Sequence, residues 1–298
     1  MSGLITTPYD WTILSEMKEA GRRIVALTAY SAKQARLIAP WVDFILVGDS
    51  VAMVWHKGKT TQEATMPMMT RHGKWVVRGA AGRAPVVVDL PECAYYRTDP
   101  ETKRRTLRPP EEILANATIL MTDTACAALK LEGGVELAPS VKLLVQNNIP
   151  VMGHIGLLPS QFGANDKYLI AGKGQEAAQN LIDDARSIQE AGAFAIVIEG
   201  SSEPVATFIA TKVLTIPTIG IGASPDTSGQ ILVNRDIWNK ATWRPKFAMC
   251  FQTQDMRMQQ AVMRYAMMTK YGLFPDRENH CYPHNPEKSG VLDVYALR

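Results

Sequence analysis

Four carboxylates, one lysine and one histidine stand at the ends of short apolar runs drawn from distant parts of the chain. Asp49 lies in Gly48-Asp49-Ser50, and Asp89 opens Asp89-Leu90-Pro91. Lys130 and Glu132 sit two apart in Lys130-Leu131-Glu132-Gly133-Gly134, His154 follows Gly153, and Glu199 precedes Gly200. A charge at a barrel mouth is costly to bury unless it is paired or binds a metal. Six such groups converging on one rim point to a chemical site rather than to six separate structural contacts.

Asp49, Asp89 and Glu132 offer oxygen donors only, with no cysteine cluster or paired-histidine motif nearby. Hard oxygen ligands suit Mg²⁺, or Mn²⁺, and argue against structural zinc. Lys130 and Glu132 alternate along one strand and so face the same way. The lysine would supply a fixed positive charge for a carboxylate or a developing oxyanion, and Ser50 adds a hydroxyl donor beside Asp49. Glu199, on another strand, is free to act as a general base once three acids hold the metal; it could instead be a fourth ligand or a partner for Lys130. His154 reads either as a hydrogen-bonded core residue or as a group that holds substrate. The set suits a 2-oxo acid, whose carboxylate and ketone oxygens can chelate Mg²⁺ together. The hydrogen on the adjacent carbon then becomes acidic, and a carboxylate base can remove it. What the resulting enolate attacks is left open by these residues.

Such a site needs strands that bring their ends together. Eight short apolar runs recur along the chain: Arg23–Ala29, Phe44–Gly48, Pro85–Leu90, Ala127–Leu131, Ile149–Gly153, Ala193–Ile198, Ile216–Ile221 and Lys246–Phe251. Their near-continuous hydrophobicity is that of strands buried on both faces. Between them run helix-compatible stretches such as Gln175–Ala191, with apolar Leu181, Ile182, Ala185 and Ile188, stopped by Gly192. Alternating strand and helix imply parallel pairing, and eight units in 298 residues match a (β/α)8 TIM barrel. The rival is an open doubly wound sheet, but no G-x-G-x-x-G follows the first strand. One domain over residues 1–298 is expected. It would carry a short helix at Trp11–Ala20 capped by Thr12, a basic aperiodic loop insertion at Arg97–Arg108, and an irregular tail after Pro275.

Composition narrows the partners. Lys+Arg 32 against Asp+Glu 29 leaves a net charge of +3, too small a surplus to propose nucleic acid or an anionic membrane. The first residues lack the basic and apolar regions of a signal peptide, and no apolar run approaches the roughly 18 residues of a membrane span. Cys93, Cys126, Cys250 and Cys281 form no C-x-x-C pair and read as reduced thiols of a cytoplasmic protein. The basic stretch at 97–108 reads as a solvated face, or as a rim that attracts an anionic ligand.

The same residues sit in a longer ordered set. It runs through Ile24-Val25-Ala26-Leu27-Thr28-Ala29-Tyr30, Leu46-Val47-Gly48-Asp49-Ser50, Val88-Asp89-Leu90-Pro91 and Leu129-Lys130-Leu131-Glu132-Gly133-Gly134. It continues through Gly153-His154-Ile155-Gly156-Leu157, Ile219-Gly220-Ile221-Gly222-Ala223, Gly229-Gln230-Ile231-Leu232-Val233 and Phe274-Pro275-Asp276. In order and spacing, from about Thr12 to Tyr282, the chain resembles the ketopantoate hydroxymethyltransferase family. The resemblance implies a barrel of the phosphoenolpyruvate mutase and isocitrate lyase superfamily type, assembled as a homo-oligomer, a decamer. It implies Mg²⁺ at Asp49, Asp89 and Glu132, and 2-oxo acid contacts from Asp49, Ser50, Asp89 and Lys130. Glu199 would then be the proton acceptor, with His154 near the substrate. The implied reaction carries a one-carbon unit from 5,10-methylenetetrahydrofolate to 3-methyl-2-oxobutanoate, giving 2-dehydropantoate.

The chain departs from the family pattern at several points. Ser31 replaces an Asp, Ala52 and Ser224 replace glycines, Glu92 replaces an apolar residue, Lys59-Thr60-Thr61-Gln62-Glu63-Ala64-Thr65 replaces Asp-Ser-Thr-Leu-Pro-Val-Thr, and 97–108 is inserted. Two other readings share the same acids. One is a relative that makes or breaks a carbon–carbon bond next to another 2-oxo acid. The other is a non-catalytic binding protein, whose usual mark, loss of an acid, is missing here.

Overall fold

The computed structural model describes residues 9–99, 101–102, 104–163, 166, 168–238 and 244–297. Among the described residues there are ten strands: β1 Ile24–Thr28, β2 Phe44–Val47, β3 Val86–Asp89, β4 Tyr96–Thr98, β5 Arg105–Leu107, β6 Ala128–Glu132, β7 Val151–Gly156, β8 Ala195–Glu199, β9 Thr218–Ile221 and β10 Gly229–Leu232. Eight of them close a barrel in the order β1-β2-β3-β6-β7-β8-β9-β10, every pair parallel. The (β/α)8 expectation is borne out. Helices 66–80, 110–124, 138–146, 175–190 and 258–270 lie in the outer layer, and almost every residue of the barrel strands is buried. No helix among the described residues is long and apolar enough to cross a membrane. The reading of the first eight residues as lacking a leader lies outside the described residues.

The eighth strand is not where the apolar runs put it. Lys246–Phe251 forms a turn and coil, and β10 closes the barrel instead. Gly229 and Gln230 interrupt the hydrophobic signal of β10, while Phe247-Ala248-Met249-Cys250-Phe251 is the more continuous apolar stretch. Only residues 222–228 separate β9 from β10, far short of the dozen or so that a helical crossover needs. Gly229 is required at the seam, since a Cβ there would stand 2.3 Å from the Ile24 carbonyl oxygen of β1.

The helix Thr12–Glu19 packs under the opposite, N-terminal end of the barrel. Trp11 stacks on Phe194 with ring centroids 4.3 Å apart, and its Nε1 donates to the Ala127 carbonyl ahead of β6. Lys18 Nζ donates to the Leu214 and Ile216 carbonyls ahead of β9. The expected cap is corrected: Thr12 does not cap this helix, because Asp10 Oδ1 accepts from both the Thr12 amide and its hydroxyl.

The insertion is also corrected. Within 97–108, of which Pro100 and Lys103 lie outside the described residues, the chain forms the antiparallel hairpin β4–β5, paired Tyr96 with Leu107 and Thr98 with Arg105. Its period-2 signal was hidden because the strands are three residues long and both faces carry polar side chains.

Candidate active site

All six charged residues named from the sequence converge at the C-terminal mouth of the barrel. They line one cavity of about 100 Å³ together with Ser50, Thr61 and Phe247. Asp49 and Ser50 follow β2, Asp89 ends β3, and Lys130 and Glu132 lie on β6. His154 lies on β7, and Glu199 ends β8. Asp49, Asp89, Lys130, Glu132 and His154 are each almost fully buried, while the Glu199 side chain is 18% exposed.

The backbone pins these groups. The Asp49 amide donates to Asp89 Oδ2 at 3.0 Å, tying β2 to β3. Glu132 Oε2 accepts from the Ser160 amide at 3.1 Å. At Glu199 the carbonyl accepts from the Leu157 amide at 2.8 Å. Gly156 passes so close, with φ +98, that a Cβ would sit 2.3 Å from the Glu199 carbonyl oxygen. Ser50 shares a 2.8 Å hydrogen bond with the Tyr30 hydroxyl.

The side chains form one electrostatic network. Lys130 Nζ lies 3.2 Å from Asp89 Oδ1 and 3.9 Å from Glu132 Oε1. His154 Nδ1 lies 3.2 Å from Glu132 Oε1 and also 3.2 Å from Lys130 Nζ; Nε2 lies 3.3 Å from Glu199 Oε2. A neutral ring cannot both accept from Lys130 and donate to Glu132 at Nδ1. Burial and the Lys130 ammonium oppose protonation of His154, but Glu132 and Glu199 outweigh them and raise its pKa. Nδ1 thus faces Glu132 and Nε2 faces Glu199, with Nε2 buried and making no aligned hydrogen bond. Burial likewise opposes the Lys130 charge, yet Asp89, Glu132 and Asp49 push its pKa up. Burial would raise Glu132, but His154 and Lys130 hold it down. Asp49 goes the other way: burial, then Glu132 and Asp89, push its carboxyl well above the usual range.

Four carboxyl groups therefore face one lysine and one histidine in a buried site, more acids than bases. Asp89 Oδ1 is buried and accepts no aligned hydrogen bond, although Lys130 is near. Among the described residues no three His, Cys, Asp or Glu groups are already drawn together as a metal cage. The chemistry of the donor set nonetheless matches a hard divalent cation, because Mg²⁺ takes one or two protein carboxylates and completes its shell with water and substrate oxygens. Such a cation would relieve the repulsion that raises Asp49.

Sequence reasoning missed Ser160, whose amide fixes Glu132, and Tyr95, a buried phenol whose pKa burial and then the charges of Glu132 and Asp49 push up. It listed Tyr30 only as part of a motif. Neither Ser160 nor Tyr95 lies at a strand end, so no strand-end signal marked them. The departures have local explanations. Ser31 caps the helix Ala32–Ile38 by accepting from the Gln34 amide, as an Asp could. Ser224 Oγ accepts from the Asp226 amide, and Thr61, which the altered 59–65 segment retains, lines the cavity.

Comparison with known proteins shows the family. Residues 9–277 match the model of the ketopantoate hydroxymethyltransferase family. The chain is 43% identical over 252 residues to a 3-methyl-2-oxobutanoate hydroxymethyltransferase of Bartonella quintana, covering 85% of this chain and 87% of that one. It is 40% identical over 294 residues to 3-methyl-2-oxobutanoate hydroxymethyltransferase 1 of Burkholderia lata, covering 98% of both. The barrel is similar to that of 2,3-dimethylmalate lyase, a PEP mutase/isocitrate lyase superfamily member, with TM-score 0.51, 16% identity and coverage of 74% and 80%. With the barrel, the rim of acids and a family match across nearly its whole length in agreement, the chain belongs to the ketopantoate hydroxymethyltransferase family.

Proposed function

We propose that this protein transfers a hydroxymethyl group from 5,10-methylenetetrahydrofolate to 3-methyl-2-oxobutanoate, giving 2-dehydropantoate and tetrahydrofolate. The observation that carries the reading is the buried surplus of carboxylates around Lys130, with Glu199 as their most exposed member. Asp49, Asp89 and Glu132 would hold Mg²⁺, which when bound supplies Lewis acidity toward the 2-oxo acid. Lys130 orients the substrate carboxylate and offsets charge that develops on the ketone oxygen. The Ser50 hydroxyl, held by Tyr30, gives a further donor at the substrate.

Glu199 takes the proton from the carbon next to the ketone. His154 sets Nε2 3.3 Å from the Glu199 carboxylate, while Glu132 stands at Nδ1. The new carbon–carbon bond joins that carbon to the one-carbon unit, and both bonds from this unit to the folate nitrogens N5 and N10 break. Water supplies the hydroxyl group and one proton; that proton and the one taken by Glu199 go to the two nitrogens, so the exchange balances.

A mass-spectrometric assay with Mg²⁺, 3-methyl-2-oxobutanoate and 5,10-methylenetetrahydrofolate tests the proposal. Formation of 2-dehydropantoate is expected; turnover of a different 2-oxo acid with none of this product would overturn it.

A further inference from the structure

A second cavity, of about 560 Å³, opens beside the first, lined by Gln62, Glu92, Tyr96, Arg97 and Arg108 among others. The two share a wall. Thr61 lines the catalytic cavity and its neighbour Gln62 the second; Gln62 Nε2 donates to the Ser160 carbonyl at 2.9 Å, and the Ser160 amide holds Glu132. Hairpin β4–β5 builds the far side.

This wall is basic. Arg97 and Arg108 share a single carboxylate, Glu112, at 2.5 and 3.1 Å. Arg105 meets the buried Glu92 at 2.7 Å and lies over the Tyr96 ring, 4.4 Å from its centroid. Two guanidinium groups, Arg97 and Arg108, line the cavity and share one carboxylate, while Arg105 stands behind the lining and meets Glu92. Arg97 is 58% exposed, open to an incoming anion.

We infer that this cavity is a binding subsite for the carboxylate-rich tail of the folate donor, extended by γ-linked glutamates. The inference rests on the proposed function, which places a folate at the adjoining cavity. A folate brings an aromatic amide ending in carboxylates, and each added glutamate adds one more. Planar guanidinium groups bind carboxylates bidentately, and Arg97 and Arg108 can take new carboxylates in exchange for their shared hold on Glu112. The Glu92 charge is met by Arg105, so it does not cancel the attraction.

The test uses the full-length protein with Mg²⁺ and 3-methyl-2-oxobutanoate. Initial rates are measured with 5,10-methylenetetrahydropteroyl monoglutamate and with the pentaglutamate. Two or three partly exposed ion pairs predict a KM for the pentaglutamate lower by about fivefold to thirtyfold at low salt. The ratio of the two KM values should fall toward one in Arg97→Ala/Arg108→Ala and as ionic strength rises toward about 1 M. Arg97→Lys/Arg108→Lys, which keeps the charge, should retain part of the preference, and the salt series tests the wild-type chain if a variant misfolds. Equal KM values for both donors in the wild-type protein would overturn the subsite and leave the hydroxymethyl transfer standing. No product from either donor would overturn the transfer, and the subsite with it.

Discussion

His154 Nε2 and Glu199 Oε2 lie 3.3 Å apart across neighbouring strands, while the opposite ring nitrogen of His154 faces Glu132 at 3.2 Å. One imidazole thus links an acid deep in the mouth to the acid nearest solvent. Strand register makes this pairing: His154 pairs with Glu132 on β6 and Gly156 with Glu199 on β8.

Under the assignment of Glu199 as base, Glu199→Gln should keep metal and substrate binding and lower kcat by about 10²-fold or more, the usual contribution of a general base. Substrate affinity by titration and kcat by product formation separate the two effects. Full turnover in this variant would remove Glu199 from the role.

Asp89→Asn tests the metal assignment. The amide keeps an acceptor for the Asp49 amide but loses the charge, so Mg²⁺ affinity should drop by at least about tenfold. Isothermal titration with Mg²⁺ reads this directly. An unaltered isotherm would exclude Asp89 as a ligand.

Arg105 and Glu92 should behave as a latch between the hairpin and the barrel. Arg105→Ala leaves a buried carboxylate without its cation and should cost about 1–3 kcal/mol by urea denaturation, less than a fully buried pair because Arg105 is 27% exposed. Removing both charges, as in Glu92→Leu/Arg105→Leu, should recover much of that loss. Strictly additive effects in the double-mutant cycle would show that the two do not interact.

Asp236 predicts a pH effect on stability. Burial pushes its carboxyl up to about 6 from 3.8, against the partial offset of Arg244 and Arg235. The folded state therefore holds this proton more tightly than the unfolded state. Its contribution is complete below about pH 4 and is lost as pH rises through about 6. Relative to wild type, Asp236→Asn should gain about 1–2 kcal/mol between about pH 4 and pH 7. Paired urea titrations across that range check it, and a difference that does not vary with pH would rule it out.

Seven of the eight barrel strands were legible because a parallel strand buried on both faces must be apolar along its length, as in Val86–Asp89 or Ala195–Glu199. The charged residues that end those strands stood out for the same reason: each breaks an apolar run where burial makes a charge costly. β10 was misplaced because its seam with β1 demands Gly229, which weakens the periodic signal.

The amino-acid sequence alone thus determined the barrel, its family and the acids at its mouth, since burial on both faces and charge at a strand end leave a local trace. Tertiary structure alone decided which charges pair, how His154 bridges Glu132 and Glu199, and that Glu92 and the inserted Arg105 form a single contact. Those outcomes depend on strand register and on loops meeting through space, and neither is encoded in any short stretch of residues.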